Sequence, residues 1–326
     1  MRDKSLTHLC MRARMTKVDH YLKAASRENT RRSYESATRH FEVSWGGHLP
    51  ATPDSVARYL VDYAGELAVN TLKHRLASLA QWHAEHGFVD PTRAPLVRKV
   101  LKGILAVHPS VEKRATPLQL TQLAQVADWL DTAALAAHSC GNRAHELRHR
   151  RDRAIVLLGF WRGFRADELI RLQVQHLHLV SGRGMTCFLA QTKGDRQNTG
   201  TTFKVPALSR WCPVTATKDW ITVASLVEGP IFRGIDQWGE IAVRPLHINS
   251  VIPLLRRLFV HAGVSAPETY SGHSLRRGFA GWANANGWDA KALMEYVGWK
   301  DLRSAMRYIE GDDSFGQRRI ESSLSP

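Results

Sequence analysis

Along the first third of the chain, apolar residues recur at three- and four-residue spacing, the period of a helix that buries one face. In TRRSYESATRHFEVSW these positions are Tyr34, Ala37, Phe41 and Trp45. A second helix is predicted in ATPDSVARYLVDYAGEL: Thr52 is the candidate N-cap, Pro53 takes the first helical position, and Val56, Tyr59, Leu60 and Tyr63 share a face. A third, NTLKHRLASLAQWHAEHG, has Asn70 as cap, Leu72, Leu76, Leu79 and Trp82 as its stripe, and Gly87 as its stop. A fourth covers Pro95 to Val107. These stripes read as core.

Residues 108–117 are polar, charged and bounded by prolines, which predicts an interdomain linker. Helices follow over Leu118–Leu130 and Arg151–Trp161. The pattern then changes to short strands in QVQHLHLV, MTCFLAQT and TTFKVPAL, with the turn SGRG between the first two and the loop KGDRQNTG before the third. From Pro213 onward it returns to helix. The expected fold class is therefore mainly α with a small antiparallel β-sheet (α+β).

Length and charge narrow the function. At 326 residues the chain suits two domains, each with its own core. The formal net charge is +15, and it is spread: residues 1–115 carry 19 Lys/Arg against 11 Asp/Glu, the remainder 26 against 19. A basic surface on both parts suits a grip on a polyanion. Cys10, Cys140, Cys187 and Cys212 lie far apart, which argues against a zinc knuckle or a disulfide framework and for a reducing compartment. No apolar run approaches the roughly 20 residues of a membrane span, and the basic N-terminus is not followed by the apolar stretch of a secretory signal.

Four features of the second part carry chemistry. Arg165 precedes Glu168 by three residues in GFRADELIRL, which puts the two on one helical face; Lys193 lies in the loop between two strands; His273 and Arg276 are also three apart on one helical face in SGHSLRRGF; and Trp299 precedes Tyr308 by nine in VGWKDLRSAMRYIE. Each has a plain structural reading: a helix ion pair, a solvated lysine, a polar surface, a core tyrosine beside Met306 and Ile309. Together they match what attack on a phosphodiester needs. Two guanidinium forks can hold the non-bridging oxygens. A tyrosine hydroxyl, with a free pKa near 10, can act as nucleophile in an electropositive site. A lysine can protonate the departing oxygen, and a histidine and an indole N–H can steady the transferring group.

This ordered set, Arg165, Lys193, His273, Arg276, Trp299 and Tyr308, resembles the tyrosine recombinase (phage integrase) family. Trp299 after Gly298, with the SGHS and TK contexts, is most similar to the Cre-like branch of it. The resemblance extends to HLPATPDSVARYLVDYAGELAVNTLKHRLASL and spans roughly residues 17–320. It implies a flexible N-terminus (1–16), a helical, SAM-like core-binding domain that binds DNA (17–107), the linker (108–117) and a catalytic domain (118–326), clamped around double-stranded DNA. Its activity is site-specific recombination: integration, excision or resolution by a mobile-element enzyme. In the implied roles, Arg165 and Arg276 clamp the scissile phosphate and Lys193 is the general acid. His273 assists proton transfer, Trp299 donates a hydrogen bond, and Glu168 supports the site. Tyr308 forms a 3′-phosphotyrosyl link that a second strand's 5′-hydroxyl resolves. No cofactor or metal is implied. The implied partners are DNA with inverted half-sites, a dimer per site, a homotetramer, and accessory DNA-bending proteins. The implied setting is cytoplasmic, in a bacterium or on a phage or plasmid. The C-terminal tail is expected to dock on a neighbouring subunit. Base-reading candidates are His247, Asn249 and Arg196, of which His247 and Asn249 read equally as a helix cap and a surface residue. Lys204, on the third strand, competes with Lys193 for the acid's role.

A rival motif is HELRH at 145–149, a match to the helix-borne zinc signature HExxH, with His145, His149 and Glu168 as ligands and Glu146 as base. Its context, GNRAHELRHRRDRA, argues against a metallopeptidase: five arginines between residues 143 and 153 oppose a dication and suggest a solvated or DNA-facing surface. A type IB topoisomerase-like enzyme shares the cleavage step and differs in outcome, relaxing supercoils as a monomer.

Overall fold

The computed structural model describes residue 21 and residues 28–109, 115–192, 195 and 199–309. The chain divides into two compact units, Met1–Lys113 and Arg114–Pro326.

The first unit is helical: α1 (Glu28–Arg39, continued by one π turn, His40–Ser44), α2 (Pro53–Asp62), α3 (Val69–Glu85) and α4 (Pro95–Val107). Its core is the predicted stripes brought together: Phe41, Val56, Tyr59, Leu60, Leu72, Leu79 and Val97 are all buried. Aromatic edges organise it, with Phe41, Trp45 and Tyr63 each within about 5 Å of the Tyr59 ring. The Tyr59 hydroxyl is hydrogen-bonded to His40 Nδ1 at 2.9 Å, which satisfies its one polar atom. Thr52 caps α2, its Oγ1 accepting the Ser55 N–H at 3.2 Å, an interaction worth about 1 kcal/mol. Helix α3 starts before the expected cap Asn70: Val69 is buried, and its packing extends the helix back to an uncapped start at Ala68.

The second unit contains α5 (Leu120–Ser139), α6 (Arg143–Trp161), the short α7 (Ala166–Ile170), β1 (Leu177–Val180), β2 (Gly184–Leu189), β3 (Thr201–Pro206) and α8 (Pro213–Val223). After these come β4 (Arg233–Ile235), β5 (Ile241–Pro245), α9 (Ile248–His261), α10 (Ser274–Ala285), α11 (Ala290–Val297) and α12 (Leu302–Ile309). Strands β1-β2-β3 form the expected antiparallel sheet, with Met185 facing Val205 and Cys187 facing Phe203 on its buried side. The return to helix after Pro213 is incomplete, because β4 and β5 pair as a second antiparallel sheet. Its turn is local: one Asp236 carboxylate oxygen accepts the N–H groups of Trp238 and Glu240, both at 2.9 Å.

Helix α6 is the unit's axis. Ala154 to Phe160 are all buried, and α5, α8 and α10 pack on it. Close approach needs residues without side chains. A methyl at Gly278 on α10 would sit 2.0 Å from the Leu118 carbonyl oxygen, and one at Gly159 on α6 would sit 2.7 Å from a Leu275 methyl. The same region is pinned where the Leu118 N–H donates to the Ser274 carbonyl at 3.1 Å.

Candidate active site

The site begins where α6 stops. Gly163 follows its last turn with φ +63°, a backbone that favours glycine, and so turns the chain toward Phe164 and Arg165. Arg165 is therefore the N-cap of α7, and Glu168 is its third residue, so the two do not share a helical face as the spacing suggested. The carboxylate reaches back instead. Glu168 Oε2 accepts the Arg165 N–H at 2.8 Å and Oε1 accepts its guanidinium at 2.5 Å. Glu168 is 3% exposed, so this is a buried, charge-assisted pair.

Arg276, on the first turn of α10, meets the same carboxylate at 3.8 Å. It is 1% exposed, which removes the polar-surface reading of the His273–Arg276 spacing. Its Nη1 donates to the Gly163 carbonyl at 2.6 Å and its Nη2 to the Val297 carbonyl at 3.4 Å. Burial pushes its pKa down to about 9, with Arg165 acting in the same direction and Glu168 and Tyr308 opposing. It remains cationic at neutral pH.

Two rings close the other side. Trp299 and Tyr308 lie 5.0 Å apart with 30° between their planes, and the Arg276 guanidinium carbon is 5.0 Å from the Trp299 ring and 5.9 Å from the Tyr308 ring. Trp299 is buried and Tyr308 half-buried, so the tyrosine borders the core. Trp299 Nε1 and Arg276 Nε are buried N–H donors without an acceptor among the described residues, and a phosphate oxygen would satisfy either.

Residues from four segments, 163–168, 276, 297–299 and 308, thus converge on one charge cluster. His273 is the exposed N-cap of α10, a turn before Arg276, and its N–H donates to Ser271 Oγ at 3.2 Å. Lys193, Arg196 and the tail beyond residue 309 lie outside the described residues. Lys204 is exposed on β3. His247 is the N-cap of α9, its Nδ1 accepting the Asn249 N–H at 3.2 Å, and both side chains are exposed. Two residues were not singled out from the sequence. The Arg277 guanidinium carbon is 5.8 Å from the Tyr308 ring, and its place beside Arg276 was the available signal. Arg162, buried behind Glu168 at the end of an apolar helix, gave no signal.

The HELRH run lies on α6, and it is not the solvated surface its composition suggested. Glu146, Arg151 and Asp152 are buried. Burial raises the Glu146 pKa, but His138 and Arg150 outweigh it, and the carboxyl is held below its ordinary value. Its partners are Arg150 at 3.0 Å and His138 at 3.2 Å, while Glu168 is committed to the arginines. Among the described residues no group of three or more His, Cys, Asp or Glu side chains is arranged to hold a metal ion. The zinc peptidase reading finds no support.

Residues 134–314, more than half of the chain, match the Phage integrase family. The chain belongs to that family. It is 29% identical over 272 residues to the integrase/recombinase XerD homolog of Selenomonas ruminantium, covering 82% of this chain and 76% of that one. With the recombinase Cre of Escherichia phage P1 it shares 23% over 287 residues, 82% and 78% of the two chains. The fold is that of XerH site-specific recombinase in a post-cleavage complex with palindromic difH substrate (TM-score 0.61, 19% identity, 90% of this chain and 78% of that one). It is equally that of the Tn1549 transposon integrase in complex with transposon right end DNA (TM-score 0.61, 15% identity, 94% and 96%). The tyrosine recombinase resemblance read from the motifs is thus borne out. No helix among the described residues is long and apolar enough to cross a membrane.

Proposed function

We propose that this phage integrase family member is a site-specific recombinase that cuts and rejoins duplex DNA through Tyr308. The observation that carries the reading is the buried Arg276 guanidinium, which faces Glu168 on one side and the Trp299 and Tyr308 rings on the other. Members of this cluster are separated by more than 100 residues of sequence, and their meeting supplies what a phosphoryl transfer requires. In the proposed step, the Tyr308 hydroxyl oxygen bonds to phosphorus as the bond from phosphorus to the 5′-oxygen breaks. The tyrosine proton passes to a base, a role in which His273 is proposed to assist. Lys193 gives the departing 5′-oxygen its proton. Arg165 and Arg276 hold the two non-bridging oxygens, and Trp299 Nε1 donates to one of them. Attack by a second strand's 5′-hydroxyl reverses the step, so the backbone is rejoined without ATP.

Family membership supports the rest of the proposal. Residues 17–107 are the proposed helical core-binding domain, which binds DNA, and residues 118–326 the proposed catalytic domain. Two chains occupy inverted half-sites, and four assemble on two sites, with DNA-bending proteins as accessories. His247, Asn249 and Arg196 are the proposed base or backbone contacts. The setting is the nucleoid of a bacterium or the DNA of a phage or plasmid.

The test starts with selection of bound DNA from a random duplex library by the full chain. Nicked suicide duplexes built from the selected sequences then trap covalent complexes. A complex that forms in EDTA and is lost in Tyr308→Phe is expected. Failure to form it, or its persistence in Tyr308→Phe, overturns the reading. A two-site assay then separates recombination from topoisomerase-like relaxation.

A further inference from the structure

Arg162 is a buried cation with no ion-paired carboxylate among the described residues. It caps the end of α6, is 5% exposed, and its Nε and Nη1 have no hydrogen-bond partner among the described residues. Its guanidinium is instead packed between rings: the carbon lies 4.4 Å from the Tyr296 ring, 4.6 Å from the Phe203 ring and 5.8 Å from the Phe164 ring. Burial lowers its pKa to about 10, opposed by Tyr296, Cys187 and Glu168, so it is charged at neutral pH. For stability alone this is a poor choice, because an apolar side chain of similar length would fill the space without desolvating a charge. A cation held by aromatic faces does have one property an alkyl chain lacks: it orients the rings around it.

Those rings lead to the site. Tyr296 is on α11, three residues before Trp299, and its hydroxyl donates to the Trp161 carbonyl at 2.8 Å. Phe203 is on β3, the strand that follows the loop containing Lys193, and its ring packs edge-on to Phe164 at 5.1 Å. The same ring lies against Gly298, where an added methyl would meet it at 3.4 Å. Arg162 itself is bonded to Gly163, whose carbonyl accepts Arg276. One guanidinium therefore touches the turn before Arg165, the strand that follows the candidate acid's loop, and α11, the helix that leads into Trp299.

We propose that Arg162 is a positioning residue for strand cleavage: held between Phe203 and Tyr296, it sets β3 and α11 against the turn that presents Arg165 and Arg276. The inference rests on the recombinase reading above. It makes Arg162 neither a phosphate ligand nor a proton carrier: its proposed role is carried by its contacts with the Phe203, Tyr296 and Phe164 rings.

The test compares full-length wild type, Arg162→Met and Arg162→Lys on the suicide duplex selected above. It measures the rate of covalent-complex formation at saturating DNA, the DNA affinity and the thermal midpoint. In Arg162→Met the rate is expected to fall roughly tenfold to a hundredfold, the effect of a small misplacement of reacting groups. DNA affinity is expected to hold, and the midpoint to hold or rise. Arg162→Lys, which keeps the charge without the planar fork, is expected to recover part of the rate. An Arg162→Met protein that cleaves at the wild-type rate, or whose defect lies wholly in DNA affinity, overturns the inference. If Arg162→Met does not fold, Phe203→Leu asks the same question by removing one ring from the cation, and a wild-type rate there overturns it equally. A wild-type chain that forms no covalent complex overturns the recombinase reading itself, which distinguishes that failure from this one.

Discussion

Removing the charge of Glu168 tests whether one buried carboxylate organises the arginine pair. It accepts the Arg165 N–H at 2.8 Å and the Arg165 guanidinium at 2.5 Å, and it lies 3.8 Å from Arg276. In Glu168→Gln the two guanidiniums face each other without the anion between them. Breaking a buried pair by removing one partner costs about 3–5 kcal/mol. The amide oxygen still accepts one hydrogen bond, which returns about 1 kcal/mol, so a loss of about 2–4 kcal/mol is expected. For a folding unit the size of Arg114–Pro326, that is a fall in thermal midpoint of roughly 5–15 °C. Cleavage of the suicide duplex below the new midpoint is expected to fall at least about tenfold, because Arg165 and Arg276 lose their common anchor. Glu168→Asp, which keeps the charge and loses reach, is expected to lie between. A Glu168→Gln protein with a midpoint within about 1 °C of wild type would refute the energetic argument. One that is destabilised but cleaves normally would refute the link from the carboxylate to the site.

Further outcomes can be checked with the same protein. Arg276→Lys cannot reproduce a planar fork, and cleavage should fall roughly 10²-fold or more at saturating DNA; a rate near wild type would mean that a point charge suffices there. Gly278→Ala pushes a methyl against the Leu118 carbonyl and should cost more than about 3 kcal/mol in urea unfolding, whereas Gly159→Ala meets a movable Leu275 methyl and should cost about 1–2; the reverse order would refute the packing argument. His149 has its pKa lowered by burial, then by His145, His261, Arg148 and Arg257. As pH falls below the ordinary histidine value of 6.5, the unfolded chain takes up a proton first, so this group's contribution to stability is lost on acidification. His149→Gln should therefore narrow the gap between urea midpoints at neutral and mildly acidic pH, and an unchanged gap would count against it.

Much of this architecture was legible because its signals are local. The stripe Phe41, Val56, Tyr59, Leu60 and Leu72 is periodic, and those residues form the first unit's core. Thr52 before Pro53 is a cap that needs three residues to recognise. Strands β1 to β3 are bounded by turn residues and alternate in burial where they face the core. The candidate site was legible for a different reason. Its side chains belong to an ordered motif, which named Arg165, Glu168, Arg276, Trp299 and Tyr308 before any of their contacts was known. Their local geometry was less accessible: the three-residue spacing of Arg165 and Glu168 suggested a shared helical face, whereas the αL turn at Gly163 makes Arg165 a cap.

What could not be read depends on partners far away in sequence. Strands β4 and β5 have three and five residues, and Val243 within β5 and Trp238 in the turn are exposed, so no alternating pattern marks the hairpin. It is held from outside. Arg148 on α6 donates to the Asp236 carbonyl, Arg151 donates to the Arg233 carbonyl at 3.0 Å, and Arg143 donates to the Val223 carbonyl at the end of α8. Arginine suits this task because its long stem crosses apolar packing while its fork satisfies carbonyls that a short sheet or a helix end leaves unpaired. The charged residues of the run that imitates a zinc signature thus have partners of their own. Arg143, Arg148 and Arg151 bind neighbouring main chain, Arg151 and Arg150 neutralise Asp152 and Glu146, and Arg153 pairs with Asp131. Composition gave that segment to the surface because five arginines are costly to bury alone. These are not alone, and the partners that lower the cost are up to 88 residues away in sequence.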